Sequence, residues 1–402
     1  MTKEDICIRT GISMDELESG MSMVRLSGQM VDELPEGLGF HILELNDCPN
    51  LSRLPDNLTC TVLTVRDCVN FEKVPDNLQA EVLVIEHCPN LTSLPAIEGL
   101  TELEMIHCQN LVRLPEKLHL SVLYIEDSKI EVLPEDCLCL RDLSLRDCPC
   151  LTKLPDSCRA FSRDLILYHC PSISFLPDIR VVFGNLNIEG TSISALPENI
   201  KIGGCLTACG SRLKTLPEGI RVGEYIDLTN CKELESLPDG LIVNGTLGLA
   251  GTSIKQLPNR LIVGGNLNVL STGIESFPPD LKVQGNISGS KRLLDVCEGC
   301  REVPGDLPYY IWKDSSYVYY DCKLYRVMSH DEFSWVVLDA EAAVCVMLDM
   351  DCSFYELDHG GLSYLVMDVN HNYGDGPTFE EAYRKMESRI RYKMGSNRNF
   401  VF

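Results

Sequence analysis

Leu43-Glu44-Leu45-Asn46-Asp47-Cys48-Pro49-Asn50-Leu51-Ser52-Arg53-Leu54-Pro55 is a phrase that this chain repeats. Its closing dipeptide returns about every twenty residues, at Pro35, Pro55, Pro75, Pro95, Pro115, Pro134, Pro155, Pro177, Pro197, Pro217, Pro238, Pro258 and Pro278, each preceded by Leu, Val or Phe. A fixed period of that length marks stacked repeats, in which each unit buries its apolar face against its neighbours. Leu43 and Leu45 alternate with polar residues, so they bury every second side chain of a short strand while Glu44 and Asn46 point outward. Leu63/Val65, Leu83/Ile85, Leu103/Met105, Leu123/Ile125, Leu143/Leu145, Leu165/Leu167, Leu186/Ile188, Ile226/Leu228, Leu247/Leu249 and Leu267/Val269 hold the same places, which predicts strands stacked in parallel.

The phrase is a leucine-rich repeat, and the fold expected is a solenoid: a parallel β-sheet horseshoe of about 13 twenty-residue repeats followed by a small α+β domain. Twenty residues leave room after each strand for a turn and a proline-stiffened extended segment, not a full helix. With parallel strands ~4.8 Å apart, about thirteen rungs make an outward face on the order of 60 Å long, large enough to dock a protein. Residues 1–30, with Ser13 and Asp15 available as helix caps, read as an N-terminal cap, and 31–300 as the solenoid. From Pro197 onward the phrase gains Val-Gly-Gly, as in Leu261-Ile262-Val263-Gly264-Gly265, which predicts a second short strand on the convex side with glycine at the corner. Residues 305–395 are aromatic and alternating, with strands expected over 317–320, 324–327, 335–338, 344–348, 355–357 and 364–368. Pro377-Thr378-Phe379-Glu380-Glu381 reads as a capping box opening a helix to about Met394, and 396–402 as a flexible tail.

Of 20 cysteines, Cys48, Cys68, Cys88, Cys108, Cys148, Cys170 and Cys231 occupy one repeat position, where other repeats carry Ser128, Thr191, Ser211, Thr252 and Thr272. Their spacing follows the repeat and not a bridging pattern, so they read as buried thiols in a reducing compartment, without disulfides. A formal charge of −24, from 59 acidic and 35 basic residues, opposes nucleic-acid binding and attraction to anionic membranes. It keeps a long repetitive surface soluble or steers a basic partner toward it. No segment is apolar enough to span a membrane, and the first residues lack a Sec-type apolar region, so a cytoplasmic protein is expected.

Asp47, Asp67, His87, His107, Asp127, Asp147 and His169 precede the repeat position on successive rungs. A ladder of that kind suits a turn, and His87, His107, Asp67 and Asp127 could alternatively ligate zinc. Cys297-Glu298-Gly299-Cys300 lacks the second pair that a structural zinc site needs, and Cys322, Cys345, Cys352, His330 and His359 do not supply it. Neither a GxSxG nor a P-loop motif occurs; no metal and no cofactor are expected.

The Leu-Pro repeats resemble the LPX-type leucine-rich repeats of Gram-negative secreted effectors over residues 25 to 290, a group that includes the Yersinia outer protein M type and the invasion-plasmid-antigen ubiquitin ligases. The resemblance implies a protein-binding scaffold delivered into a host cytoplasm by a non-Sec route. The ligases carry a large helical domain with a nucleophilic Cys-x-Asp. This chain has about a hundred residues after its repeats, read as β-rich and without Cys-x-Asp, so the outer-protein-M type without a catalytic domain fits better.

The function expected is therefore a non-enzymatic scaffold that binds a protein partner through outward strand residues: Glu44, Asn46, Arg66, Glu86, Glu104, Tyr124, Glu126, Arg146, Tyr168 and Glu189. The alternative is the substrate-recognition module of a cysteine-dependent ubiquitin ligase. Exposed sheet edges at the two ends leave room for self-association.

Overall fold

In the computed structural model, residues 1–290 are described except 30, 117, 136, 137 and 199, and beyond them the backbone of seven strands. Fourteen strands form one parallel sheet in chain order: Met23–Ser27, Gly39–Asn46, Thr59–Arg66, Gln79–Glu86, Glu102–Ile106, His119–Glu126, Leu138–Arg146, Leu165–Tyr168, Leu186–Asn187, Leu206–Thr207, Ile226–Asp227, Leu247–Gly248, Leu267–Asn268 and Ile287–Ser288. The register places Leu43 beside Leu63, Leu63 beside Leu83 and Leu83 beside Leu103, so each inward side chain packs on its equivalent one rung away. These leucines are fully buried or nearly so and, with Phe71, Phe161 and the Leu-Pro leucines, form one continuous core. The fold is a leucine-rich-repeat solenoid.

Two helices close its start. Lys3–Thr10 begins at a capping box made by Thr2 and Asp5, and Met14–Glu18 at one made by Ser13 and Glu16, so Ser13 is the cap expected and Asp15 lies inside the first turn. Ile6 and Leu17 are buried beneath them. The sheet begins earlier than the expected cap boundary: Met23–Ser27 pairs with the next strand through Val24↔Leu43 and Leu26↔Leu45, so the segment 1–30 supplies a rung.

Five of the first seven strands run eight or nine residues and the other two run five, whereas from Ala160 onward each rung breaks into two shorter pieces. The added piece precedes the main-sheet strand, as the Val-Gly-Gly phrase predicts, but it begins at Ala160, ahead of Pro197 from which it was expected. Ala160–Phe161, Val181–Val182, Lys201–Ile202 and Arg221–Val222 form one small parallel sheet, and Ile242–Val243, Ile262–Val263 and Lys282–Val283 another. The corner between the pieces brings backbone against backbone. A Cβ added at Gly203 would meet the Phe183 carbonyl oxygen at 2.0 Å, and one at Gly265 the Gly245 carbonyl carbon at 2.7 Å, so only glycine fits.

Beyond residue 290, Tyr317–Tyr320, Lys323–His330, Phe333–Leu338 and Val344–Leu348 form an antiparallel sheet, and Ser353–Glu356, Tyr364–Met367 and Tyr373–Gly376 another. The first six strands match the alternating segments of the sequence. The seventh was not expected, because Tyr373-Gly374-Asp375-Gly376 lacks an apolar alternation. The helix expected after Pro377, the tail, and Cys297, Cys300, Cys322, Cys352 and His359 lie outside the described residues.

Candidate protein-binding face

Each of the first seven strands, from Met23–Ser27 to Leu138–Arg146, presents three outward positions, so the open face carries three columns there. The expected contact residues fall in two of them. Glu44, Glu104 and Tyr124 stand in the central column, while Asn46, Arg66, Glu86, Glu126, Arg146, Tyr168 and Glu189 stand in the column at the strand exits. All ten side chains are half-buried or exposed, and the structure brings them together as one band.

Their charges are partly matched. Glu44 accepts from Arg25 of the preceding rung, which holds its carboxyl below the usual range. Arg66 Nε sits 2.8 Å from Glu86. Arg146 lies between two rings, 6.0 Å from Tyr124 and 5.9 Å from Tyr168, and its Nε donates to Ser144 Oγ at 3.2 Å. Tyr168 stacks on His169 at 3.9 Å. The Tyr124 hydroxyl donates to Glu126, and burial together with that carboxylate pushes its pKa up to about 12. Glu104 differs from its neighbours. Partial burial raises its pKa, Arg66 offsets some of that, and the Glu86 and Glu126 carboxylates add to it. No cation contacts it among the described residues.

The third column escaped the sequence reading. Met23, Ile42, Val62 and Val82 stand in register at the strand entrances and form an outward apolar stripe that ends at Glu102. Met23 is 64 % exposed and the next three are half-buried. The signal was present, since each precedes an inward residue by one and so faces out. Selection by charge and size passed over it.

At the strand exits, Asp47, Asp67, His87, His107, Asp127, Asp147 and His169 all adopt left-handed backbone, with φ between 49° and 53°. Asp, Asn and His are the side chains that tolerate this region best, which accounts for the alternation without a ligand. Later rungs place Gly190, Gly210, Asn230, Gly251 and Ser271 there, again with positive φ. The side chains pair along the ladder: His107 Nδ1 lies 2.8 Å from Asp127, His169 Nδ1 3.3 Å from Asp147, and His87 Nδ1 3.5 Å from Asp67. His87 and His107 stack at 4.5 Å. Among the described residues no three His, Cys, Asp or Glu side chains are grouped to hold a metal ion.

Beneath the ladder the seven repeat cysteines are buried free thiols. The Cys68 thiol donates to the Arg66 carbonyl at 3.2 Å and to Leu45 of the preceding rung at 3.6 Å. Burial pushes the pKa of Cys88 up to about 12 and of Cys108 up to about 11. Thr191 and Thr252 fill the same place by donating to the carbonyl three residues back, Ile188 and Leu249.

These features define a leucine-rich-repeat protein with an open, charged sheet face; among the described residues no helix is long and apolar enough to cross a membrane. No protein-family model matches the chain, and no curated protein does. Among solved structures it is similar to YopM from Yersinia enterocolitica WA-314, at 18% identity over 71% of this chain and 82% of that one, with a TM-score of 0.26. An overlap that low carries no argument, and the fold assignment rests on the strand register itself.

Proposed function

We propose that this protein is a non-enzymatic interaction scaffold that docks a protein partner on its sheet face, acting in a reducing cytoplasm after delivery into a host by a non-Sec route. One observation supports the docking reading above the others. From Thr59 to Tyr168, consecutive strands present Arg66, Glu86, Glu104, Tyr124, Glu126, Arg146 and Tyr168 on one open surface, where the core requires none of them. Tyrosine and arginine are the residue types that dominate binding energy at interfaces. The row of buried thiols favours a reducing compartment. The Leu-Pro repeats, through their resemblance to secreted effectors, favour delivery.

The test uses the full-length protein as bait under reducing conditions. Partners captured by the wild type are compared with those captured by Glu86→Lys, Glu126→Lys and Tyr168→Ala combined. Loss of a specific partner with unchanged thermal unfolding supports the reading. Retention of every partner by the triple variant overturns it.

A further inference from the structure

The entrance half of the sheet face joins an apolar strip to unneutralised acid, and this inference rests on the docking reading above. Ile42, Val62 and Val82 stack on successive strands, and the next residue in register after Val82 is Glu102. Glu102 and Glu104 lie two residues apart on one strand and so point to the same side. In the central column Glu104 stands in register with Val84 on one side and Tyr124 on the other. Apolar contact and negative charge are therefore adjacent. The nearby arginines are engaged elsewhere, Arg25 with Glu44 and Arg66 with Glu86. Glu104 has no hydrogen-bond partner or cation among the described residues, although it is only half-exposed.

A half-buried carboxylate flanked by other carboxylates is unfavourable in the free protein and is relieved by any cation brought to it. The partner's sign follows. A second copy of this chain, at formal charge −24, would bring more negative charge, so the face is not suited to itself.

We propose that this half of the face receives a basic, partly apolar segment of a protein partner, with apolar side chains over Ile42, Val62 and Val82 and a Lys or Arg side chain ending at Glu104 beside Glu102. The span fits a short segment. Ile42 to Glu104 covers three strand spacings, ~14 Å, which an extended chain crosses in about four to five residues. The apolar strip holds the segment, and the carboxylates select its charge and set its direction along the solenoid.

The test measures fluorescence anisotropy of a short labelled peptide of alternating leucine and lysine against the full-length protein. Two companion peptides replace lysine by glutamate, or leucine by serine. Both companions are expected to bind at least about tenfold more weakly than the parent. Glu102→Gln with Glu104→Gln, and separately Val62→Ser, should each weaken the parent by a similar factor. Asp56→Asn with Asp76→Asn, at exposed positions outside the sheet, should leave it unchanged. The Gln variants keep side-chain size and need no refolding of the core, so they stay informative even if Val62→Ser proves unstable.

Equal binding by the serine peptide, equal weakening by the Asp56/Asp76 pair, or no binding by the parent peptide overturns the proposal. If any of these occurs while a captured partner still depends on Glu86, Glu126 and Tyr168, the basic-segment proposal falls and the docking reading stands. If that dependence is absent as well, both fall.

Discussion

Arg66 reaches across one strand spacing to Glu86, 2.8 Å away, and leaves Glu104 on the following strand without a cation. Twenty residues separate Arg66 from Glu86 in the chain, yet the repeat places them side by side. The consequence for Glu104 can be measured.

Partial burial raises the Glu104 pKa in the folded protein above its unfolded value, so between the two the native state holds the proton more tightly. Stability contributed by this group is therefore present at low pH and lost as pH rises through the folded pKa. Glu104→Gln is expected to unfold at higher urea concentration than the wild type at pH 7. The difference should vanish near pH 4, about the unfolded pKa of a glutamate. A variant less stable than the wild type at pH 7 would contradict this.

Asp127 carries the opposite sign. Hydrogen bonds from His107 and Gln109 lower its pKa, so its contribution is present above the unfolded aspartate value and is lost as pH falls through the folded one. Asp127→Asn should therefore be less stable than the wild type at neutral pH and converge with it in acid. Parallel urea curves at the two pH values decide the matter.

The left-handed exits make a prediction about backbone. At His87, φ is 51°, so a β-branched valine there is expected to cost about 1 to 2 kcal/mol, while His87→Asn should lie within about 0.5 kcal/mol of the wild type. Equal unfolding midpoints for the valine and asparagine variants would show that backbone geometry does not select this residue.

Leu123→Ala removes a fully buried side chain from the middle of the stack and should cost about 2 to 5 kcal/mol, read from denaturant unfolding. Each rung rests on its neighbours, so the loss should appear in hydrogen exchange at Leu103 and Leu143, which flank it in register, before it appears at the ends.

Thiol labelling of the native protein, mapped by peptide, should modify the exposed Cys150 and leave Cys88 and Cys108 untouched until denaturant is added. Their burial and their raised pKa values both suppress the thiolate that reacts. Rapid native labelling at Cys88 would mean that the rungs open locally.

The repeat period and the parity of its leucines were enough to place the sheet, its core and its outward columns, because stacking forces equivalent residues into equivalent positions. Loop length was legible too. Every repeat cysteine is followed by two residues before the next core side chain, as in Cys48-Pro49-Asn50-Leu51, and every Ser or Thr by one, as in Thr191-Ser192-Ile193. The structure gives the pattern a physical content. In the longer loop the Leu51 amide bonds back to the Cys48 carbonyl, while in the shorter one the Thr191 hydroxyl bonds back to the Ile188 carbonyl, just past the strand. The rung at Met23–Ser27 was hidden because Gly28 stands where later rungs carry Asp or His, and the usual Cys is missing after it. Neutralisation within the face was not legible either. Whether Arg66 pairs with Glu86 or with Glu104 depends on side-chain conformations across strands, which a one-dimensional pattern does not encode.

Rungs with the longer and the shorter loop share one sheet: the Ser128 rung lies between those of Cys108 and Cys148, and although its pairing with the next strand shifts once between Leu120 and Val122, Leu103, Leu123 and Leu143 stay aligned across it. Each rung absorbs its own loop length, so the twenty-residue unit is also a unit of inheritance. Duplicating or deleting one such stretch of coding sequence lengthens or shortens the face by one strand spacing, ~4.8 Å, and leaves the pairing of the other rungs as it was. The reach of the surface, and the size of partner it can span, is thus a quantity that descent with modification can adjust in single steps.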